Sequence, residues 1–225
     1  MSVEMRLALQ KERASDLAAR VRRFLGPFTG TEIALDSGCG TGALALALAP
    51  HVGEVVGADT RADYLEAARA LAPANVRFVD GDATALPFGY GSFDIAGSLR
   101  LLHHVRRPEL AVSELVRVTR LGGRVFIADQ LGSIDPLRSI EMDRFERLRD
   151  EKHQRLLPDG DIRGYLDAND LVLIASEITR ERVDLEQRLE LAGASEEERM
   201  RVRGLASAAV YEIDVGWYVA RKPGA

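Results

Sequence analysis

The sequence predicts an α/β fold built on a mostly parallel β-sheet. Two observations lead to this prediction: short apolar runs alternate with segments of helical periodicity, and most of these runs end in an aspartate. Strands that alternate with helices pair in parallel through right-handed crossovers. Their carboxyl ends meet at one sheet edge, where ligands of open α/β sheets bind. The predicted strands of this part are 33–36, 54–59, 76–80, 93–98 and 124–129.

Helices are predicted before and between these strands. The first covers residues 3–25, because leucine and valine recur at helical spacing among charged residues, and Gly26-Pro27 ends it. The next is predicted over 42–50. The helix over 61–72 is stopped by a proline, and the helix over 108–120 starts with a proline and is followed by a glycine pair.

The pattern changes after the fifth strand. Residues 136–157 are predicted as a heavily charged helix with an apolar stripe of Leu137, Ile140, Phe145 and Leu148. Later elements are predicted in this order: helix 159–168, strand 171–179, helices 184–192 and 195–208, and strand 211–220. About 30 residues of helix therefore separate the last two strands. Long insertions at a ligand edge commonly form lids and pockets.

The turn after the first strand contains three glycines at every second position, Gly38, Gly40 and Gly42. Asp36 precedes them and an alanine-rich helix follows. Glycine adopts backbone angles closed to other residues and lets a ligand touch the backbone. The N-terminus of the following helix leaves amide groups pointing into the same space. The segment therefore predicts a ligand cradle.

Acidic residues follow the second and third strands as well. Asp59 lies about 20 residues past the first glycine, where a βαβ unit places the residue that binds a ribose. Its carboxylate can accept two hydroxyl hydrogen bonds. Gly81-Asp82-Ala83 follows the third strand. The spacing from Gly38 also fits the loose dinucleotide fingerprint, so the turn alone leaves open both a nucleotide-type cofactor and a purely topological role.

Composition restricts the function classes. The 225-residue chain has a net charge of −5 and no basic run, so nucleic acid is not expected as a partner. Cys39 is the only cysteine, which excludes an internal disulfide and a thiolate zinc site, and no metal is expected. No apolar stretch reaches the roughly 18–20 residues of a membrane span. No secretion signal is visible, so we expect a cytoplasmic location.

Nine motifs occur in order along the chain: Asp36-Ser-Gly-Cys-Gly-Thr-Gly42, Asp59, Gly81-Asp82-Ala83, Leu86-Pro87-Phe88, Phe93-Asp94, His103-His104, Glu114-Leu-Val-Arg117-Val118, Leu121-Gly122-Gly123 and Val125-Phe-Ile-Ala-Asp129. This ordered set resembles the class I S-adenosylmethionine-dependent methyltransferases. It is most similar to the small-molecule branch around the ubiquinone- and menaquinone-biosynthesis methyltransferases. The resemblance covers residues 17–175 well and the rest weakly.

The resemblance implies a Rossmann-like sheet of seven strands, mostly parallel with the last strand antiparallel. Helices would flank both faces, and a helical cap would cover the ligand edge. The chain, 1–225, would then be a single methyltransferase domain. The core is expected over about 26–134 and 159–221, and the cap elements over about 1–25, 135–157 and 182–209.

The same resemblance implies S-adenosyl-L-methionine as the cofactor. Gly38 and Gly40 would approach its methionine part through their backbone, and Asp36 would lie near its ammonium group. Asp59 would bind the ribose hydroxyls and Asp82 the adenine edge. The expected cofactor-binding residues are Asp36, Gly38, Cys39, Gly40, Asp59, Thr60, Asp82, Ala83 and, through their backbone carbonyls, Ser98 or Leu99.

Methyl transfer depends mainly on alignment, because the sulfonium is already a strong leaving group; a general base is optional. Neutral imidazole suits such a base near pH 7. His103 and His104 follow the fourth strand. His153 ends the predicted charged helix in a stretch that resembles the Arg-Asp-Pro-Ser-His segment common in this branch. All three are candidates, and packing or capping roles stay open for each; Asp129 could also face the substrate.

The expected function is transfer of a methyl group to a C or O atom of a small-molecule acceptor, in the class EC 2.1.1.-. The Asn/Asp-Pro-Pro-aromatic signature of DNA amino-methyltransferases does not follow strand four. Ser37 replaces the usual aliphatic residue, Leu121 the usual proline, and an arginine common at the position of Leu99 stands one residue later at Arg100. These departures leave a non-catalytic S-adenosylmethionine-binding homologue as the alternative.

An NAD-dependent oxidoreductase is a further alternative. It explains the glycine turn and Asp59, but not Gly81-Asp82-Ala83 or the aspartate that starts the turn. The residues leave the oligomeric state open, with a homodimer as the first form to test.

Overall fold

The computed structural model describes residues 3–150, 152–191, 195–205 and 210–224. The predictions made for residues 1–2, 151, 192–194, 206–209 and 225 lie outside the described residues. The strands are β1 (Ile33–Ser37), β2 (Glu54–Asp59), β3 (Val76–Asp80), β4 (Phe93–Leu99), β5 (Thr119–Gln130), β6 (Val172–Asp184) and β7 (Val210–Arg221). The helices are α1 (Val3–Leu25), α2 (Ala43–Leu48), α3 (Ala62–Leu71), α4 (Pro108–Val118), α5 (Pro136–Arg149), α6 (Asp159–Asp167), α7 (Leu185–Leu191) and α8 (Glu196–Leu205), with a 3₁₀ turn at Leu102–His104.

The strands form one seven-stranded sheet in the order β3-β2-β1-β4-β5-β7-β6. The first five strands pair in parallel, and β7 runs antiparallel to both β5 and β6. This confirms the predicted fold class, including the antiparallel last strand. The order reverses direction between β1 and β4, so a crevice opens outside their carboxyl ends, where ligands of open α/β sheets bind.

Small residues on the neighbouring strands make room around the end of β1. Asp36 lies opposite Gly57 of β2 and Gly97 of β4. A Cβ on Gly57 would collide with the ring of Phe78, and one on Gly97 would lie 3.1 Å from Phe126. The absence of both Cβ atoms therefore lets these aromatic rings pack against the sheet beside the glycine turn.

Each sheet face carries its own hydrophobic core. On one face, α1 and α2 pack against the sheet near Phe126 and Trp217. On the other face, α4 and α6 pack near Leu115 and Tyr218. Trp217 and Tyr218 reach opposite cores because successive side chains of a strand point to opposite faces.

The C-terminal half of α1 packs into the hydrophobic core on one face of the sheet. Val21 and Leu25 are fully buried, and Phe24 stacks on Trp217 with ring centroids 6.2 Å apart. The guanidinium of Arg124 on β5 donates to the carbonyl of Leu25. These contacts anchor the end of α1 against the sheet, which in turn sets where its first turns lie.

The predicted charged helix over 136–157 is too long, because α5 ends at Arg149. Past the helix, the carboxylate of Asp143 accepts hydrogen bonds from the Leu156 amide at 2.7 Å and from His153 Nε2 at 2.8 Å. The chain therefore folds back against α5 instead of continuing the helix.

The predicted apolar stripe of α5 is also wrong. Leu137 is 74% exposed and Ile140 is 64% exposed, whereas Phe145 packs edge-on against Tyr211. The side chain of Leu148 lies outside the described residues. Among the described side chains of α5, Phe145 is the one that packs against a hydrophobic core, together with α7 and α8.

Two strands are longer than predicted. β5 begins at Thr119 instead of 124, because Thr119 pairs with Phe93 of β4 and the turn at Gly122 is held by the Lys222 carbonyl at 2.8 Å. β6 continues to Asp184, into the segment predicted as cap, because it pairs with β7 over its whole length. None of the helices in the described part of the chain has the length and apolar character that a bilayer crossing requires.

The anchoring of α1 predicts a contrast between two leucine truncations. Leu25→Ala should lower the free energy of unfolding by about 2–5 kcal/mol, because it removes a fully buried side chain. Leu137→Ala, on the exposed part of α5, should change it by less than about 0.5 kcal/mol. Urea denaturation of both variants measures this, and equal effects would contradict the described packing.

Candidate functional site

Two cavities open at the carboxyl edge of the parallel strands. The larger has a volume of about 1030 Å³ and the smaller about 450 Å³. Four residues line both cavities, Arg6, Arg100, His104 and Asp150, so the two spaces adjoin each other. Concave sites at the switch point of an α/β sheet, where the strand order reverses, are typical ligand sites.

Five of the predicted cofactor-binding residues line the larger cavity: Gly38, Asp59, Thr60, Asp82 and Ala83. Three others, Asp36, Cys39 and Leu99, line the smaller cavity. Gly40 and Ser98 are not among the lining residues of either, but Gly40 is joined to Asp59 by a hydrogen bond. The structure thus brings the predicted set to one edge of the sheet.

The carboxylate of Asp59 is held between the glycine turn and the start of α3. The Gly40 amide donates to Oδ2 at 2.8 Å, and the Arg61 amide donates to Oδ1 at 2.9 Å. Each oxygen keeps a further lone pair for a ligand hydroxyl. Asp59 therefore combines a structural role in the turn with an accessible acceptor face on the larger cavity.

The turn itself needs its glycines. Gly38 has a φ of +68° and Gly40 a φ of +54°, which non-glycine residues rarely adopt. A Cβ on Gly38 would collide with the side chain of Leu101. The Ala58 carbonyl accepts from the Gly38 amide at 2.8 Å and from the Cys39 amide at 3.0 Å, which anchors the turn to β2.

Asp36 is a buried carboxylate with spare hydrogen-bonding capacity. The Ala45 amide at the start of α2 donates to Oδ2 at 2.9 Å, whereas Oδ1 has no partner among the described residues. Burial raises the pKa of Asp36 to about 7, and the nearby negative charge of Asp59 acts in the same direction. A cation in the adjoining cavity would satisfy both the free oxygen and the buried charge.

The loop after β3 is held by the Glu114–Arg117 pair of α4. Glu114 accepts from the Leu86 amide at 2.7 Å, and Arg117 donates to the carbonyls of Leu86 at 3.0 Å and Phe88 at 2.7 Å. Asp82 in the same loop accepts from the amide and the hydroxyl of Thr84, both at 2.8 Å. The motif over 114–118 therefore positions the loop that carries Asp82.

Asp129 faces His103 and lines neither cavity, which corrects the expectation that it could face a substrate. Its carboxylate accepts from the Leu102 amide at 2.6 Å, the Gln130 amide at 2.7 Å and Nδ1 of His103. Burial alone would raise the pKa of Asp129, but His103 and these donors hold it below its usual value. Asp129 therefore stays ionised and orients the His103 ring.

His103 lines the smaller cavity and His104 lines both cavities. Their ring centroids lie 4.1 Å apart. Burial and the neighbouring His103 ring lower the pKa of His104, so its ring is neutral near pH 7. His104 Nδ1 has no hydrogen-bond partner in the described part of the chain, and Nε2 lies 3.9 Å from the carboxylate of Asp150.

His153 is 3% exposed and is not among the lining residues of either cavity. Its Nε2 lies 2.8 Å from Asp143, because the chain folds back after α5. This geometry gives His153 a packing role between α5 and the following segment. Within the described ranges, no three His, Cys, Asp or Glu side chains converge to hold a metal ion.

Cys39 is a small buried residue of the turn. Burial, and then the negative charges of Asp36 and Asp59, raise the pKa of its thiol, which keeps it protonated. The arrangement suits packing, with Cys39 Sγ beside Gly57, and does not activate the thiol as a nucleophile.

Several lining residues of the smaller cavity were missed from the sequence. Arg6 comes from α1, Gln130 from the end of β5 and Trp217 from β7. Arg100 has a φ of +56° and its Nη2 lies 2.7 Å from Glu181 Oε2 on β6. These residues are distant in sequence and carry no motif, so only the sheet order and the docking of α1 bring them together.

Comparisons with known proteins connect this chain with the methyltransferases. A family model described as a methyltransferase domain matches residues 35–127. The YafE protein of Escherichia coli is 30% identical over 154 residues, covering 67% of this chain and 73% of that protein. The demethylmenaquinone methyltransferase of Clavibacter sepedonicus is 38% identical over 109 residues, covering 48% of this chain and 44% of that protein.

The YcgJ protein of Bacillus subtilis, described as an uncharacterized methyltransferase, is 38% identical over 125 residues, covering 54% of this chain and 49% of that protein. Its crystal structure superposes with a TM-score of 0.87 at 23% identity, covering 94% of this chain and 100% of that chain, which shows the shared fold. In sequence, the chain matches about half the length of YcgJ and of the Clavibacter enzyme.

This chain belongs to the class I S-adenosylmethionine-dependent methyltransferase family, and part of it is similar in sequence to the demethylmenaquinone methyltransferases. The cofactor of this family is S-adenosyl-L-methionine. The residues fit this group: Gly38 lines the larger cavity without a Cβ atom, and Oδ1 of Asp36 is buried without a partner among the described residues.

The buried charge of Asp36 predicts a pH-dependent gain in stability for Asp36→Asn. Because the pKa of Asp36 rises from 3.8 to about 7 on folding, its favourable protonated state is lost as pH rises through 7. Asparagine does not ionise, so the stability advantage of the variant should grow between about pH 4, where it is small, and pH 8, where it is at most about 4 kcal/mol.

Thermal unfolding of both proteins across this pH range measures the effect. The same substitution should weaken S-adenosylhomocysteine binding, because the ammonium group loses an anionic partner. A stability difference that does not change with pH would contradict a buried ionisable carboxyl at this position.

Proposed function

We propose that this protein transfers the methyl group of S-adenosylmethionine to a C or O atom of a small-molecule acceptor bound in the smaller cavity. The observation that carries this proposal is the adjacency of two different cavities at the switch point. The larger is lined by the acids expected to bind the nucleoside, and the smaller by the Asp129-oriented His103. A methyl group at the junction would face the acceptor space.

For the cofactor, we assign the ribose hydroxyls to Asp59 and the adenine edge to the loop of Asp82 and Ala83. The backbone of Gly38 would approach the methionine part, and Asp36 would bind its ammonium group. The support is the free acceptor capacity of Asp36 and Asp59, together with the position of these residues on adjoining cavity walls.

For the acceptor, the smaller cavity suggests a compact, partly apolar molecule. Its volume of about 450 Å³ fits one small ligand. Its apolar walls come from the side chains of Leu9, Leu17, Leu44, Leu99 and Trp217. Polar groups at His103 and Gln130 would orient the acceptor, and orientation supplies most of the rate enhancement in a displacement at carbon.

His103 is the favoured base among the three histidine candidates. In the neutral form of His103, the hydrogen bond from Nδ1 to ionised Asp129 keeps the ring proton on Nδ1 and leaves the lone pair on Nε2. An acceptor hydroxyl, or an acidic carbon, could then pass its proton to Nε2 as the new bond to the methyl carbon forms. His104 is less suited, because burial disfavours its protonated form, and His153 does not line either cavity.

Calorimetric titration tests the cofactor assignment. The protein should bind S-adenosylhomocysteine with micromolar affinity and should not bind NADH. Asp59→Ala should weaken S-adenosylhomocysteine binding by roughly 1.5–3 kcal/mol, because charged hydrogen bonds to the ribose are lost. Binding of NADH alone would instead support an oxidoreductase, and unchanged affinity in the variant would remove the ribose assignment.

Turnover with a panel of small-molecule acceptors tests the base. For an acceptor that is methylated, His103→Gln should lower kcat by about 10²–10⁴-fold while leaving S-adenosylhomocysteine affinity within about twofold. His51→Gln is the matched control, because His51 stacks on Phe28 away from both cavities.

An unchanged kcat in His103→Gln would leave alignment as the sole contribution of the protein. Tight cofactor binding without turnover across the panel would favour the non-catalytic homologue.

A further inference from the structure

We propose that Arg6 of α1 binds the carboxylate of the methionine part of the cofactor. The proposal rests on the cofactor assignment above and adds a residue from a helix that carries none of the family motifs. It makes the N-terminal helix part of the cofactor site. Three features of Arg6 support this role: it contacts the glycine turn, it has no acidic partner among the described residues, and it lines both cavities.

Helix α1 docks over the glycine turn. Thr41 Oγ1 in the turn donates to Gln10 Oε1 on α1 at 2.6 Å. Arg6 lies four residues before Gln10 and therefore on the same face of the helix. The turn and this face of α1 are thus in direct contact, independently of any ligand.

The guanidinium of Arg6 lies next to Gly40. Nε and Nη2 of Arg6 each lie 2.9 Å from the point that a Cβ on Gly40 would occupy. A side chain at this position would displace Arg6, so Gly40 makes the approach possible. The guanidinium therefore lies directly against the turn whose backbone faces the methionine part of the cofactor.

The positive charge of Arg6 is not paired with a carboxylate among the described residues. In the described part of the chain, no carboxylate lies within 4.0 Å of the Arg6 guanidinium, which instead sits 5.2 Å from the ring centroid of Tyr64. Arg100, the other arginine that lines both cavities, is already bound to Glu181 at 2.7 Å. Arg6 is therefore the cation at the cavity junction that remains available for an anionic ligand group.

The charges of the ligand complement those of Arg6 and Asp36. The amino-acid end of the cofactor carries one ammonium and one carboxylate on the same carbon. A cation opposite Asp36 would lower the free-energy cost of its buried negative charge. Arg6 lies near enough for its charge to act on Asp36. A zwitterion between the two residues pairs both charges at once. The guanidinium fork also matches a carboxylate with two parallel hydrogen bonds.

A pair of ligands tests this assignment by calorimetry. S-adenosylhomocysteine carries the amino-acid end, whereas 5′-methylthioadenosine keeps the nucleoside and the sulfur but lacks that end. Arg6→Gln should weaken S-adenosylhomocysteine binding by about 10- to 100-fold and 5′-methylthioadenosine binding by less than about threefold. Arg6→Lys should recover part of the loss, because it restores the charge but not the fork.

Lys11→Gln is the matched control, because it removes one positive charge from an exposed position of the same helix. It should leave both affinities unchanged. Equal loss of both ligands in Arg6→Gln would overturn the assignment and give Arg6 a structural role in the turn. No loss of either ligand would also overturn it. If the parent protein binds neither ligand, the cofactor assignment itself fails along with this one.

Discussion

The buried carboxylate of Asp36 is the constraint on which the rest of the site depends. It lies at the point where the strand order reverses, flanked by glycines on both neighbouring strands and by the first turn of α2. Burial makes its charge unfavourable without a cation, which destabilises the unliganded protein and favours binding of a cation beside it. Stability and ligand affinity are therefore opposed at this one residue.

The parallel part of the fold could be predicted because its signals are local. Apolar runs, terminal aspartates and glycine or proline breaks lie within a few residues of the elements they define, as around Asp36 and Pro108. The end of α5 could not be predicted, because it depends on Asp143 binding a segment ten and more residues later. The full length of β6 likewise depends on pairing with β7.

The candidate site shows the same contrast between residues that local patterns predict and residues that only tertiary contacts bring together. Motif residues such as Asp59 and Asp82 reach the larger cavity because each directly follows a strand of the parallel sheet. Residues of the smaller cavity, such as Arg6 and Trp217, have no shared spacing and meet only through tertiary packing. At His153 a family-like segment is in a buried contact with Asp143, which the sequence pattern did not indicate.

The smaller cavity, which we propose for the acceptor, combines motif residues such as Asp36 and His103 with residues of α1, β6 and β7 that belong to no motif. Glu181 on β6 accepts from Arg100 after β4 and lies 3.5 Å from Arg13 on α1, so a single carboxylate links three elements around the smaller cavity. Arg6 on the same helix lines both cavities. A shift of α1 would therefore change the walls of the cofactor and acceptor spaces together, whereas the motif residues on the parallel strands would stay in place. Under the proposed assignment, the sheet edge would keep its contacts to the cofactor while the elements around it determine which acceptor fits.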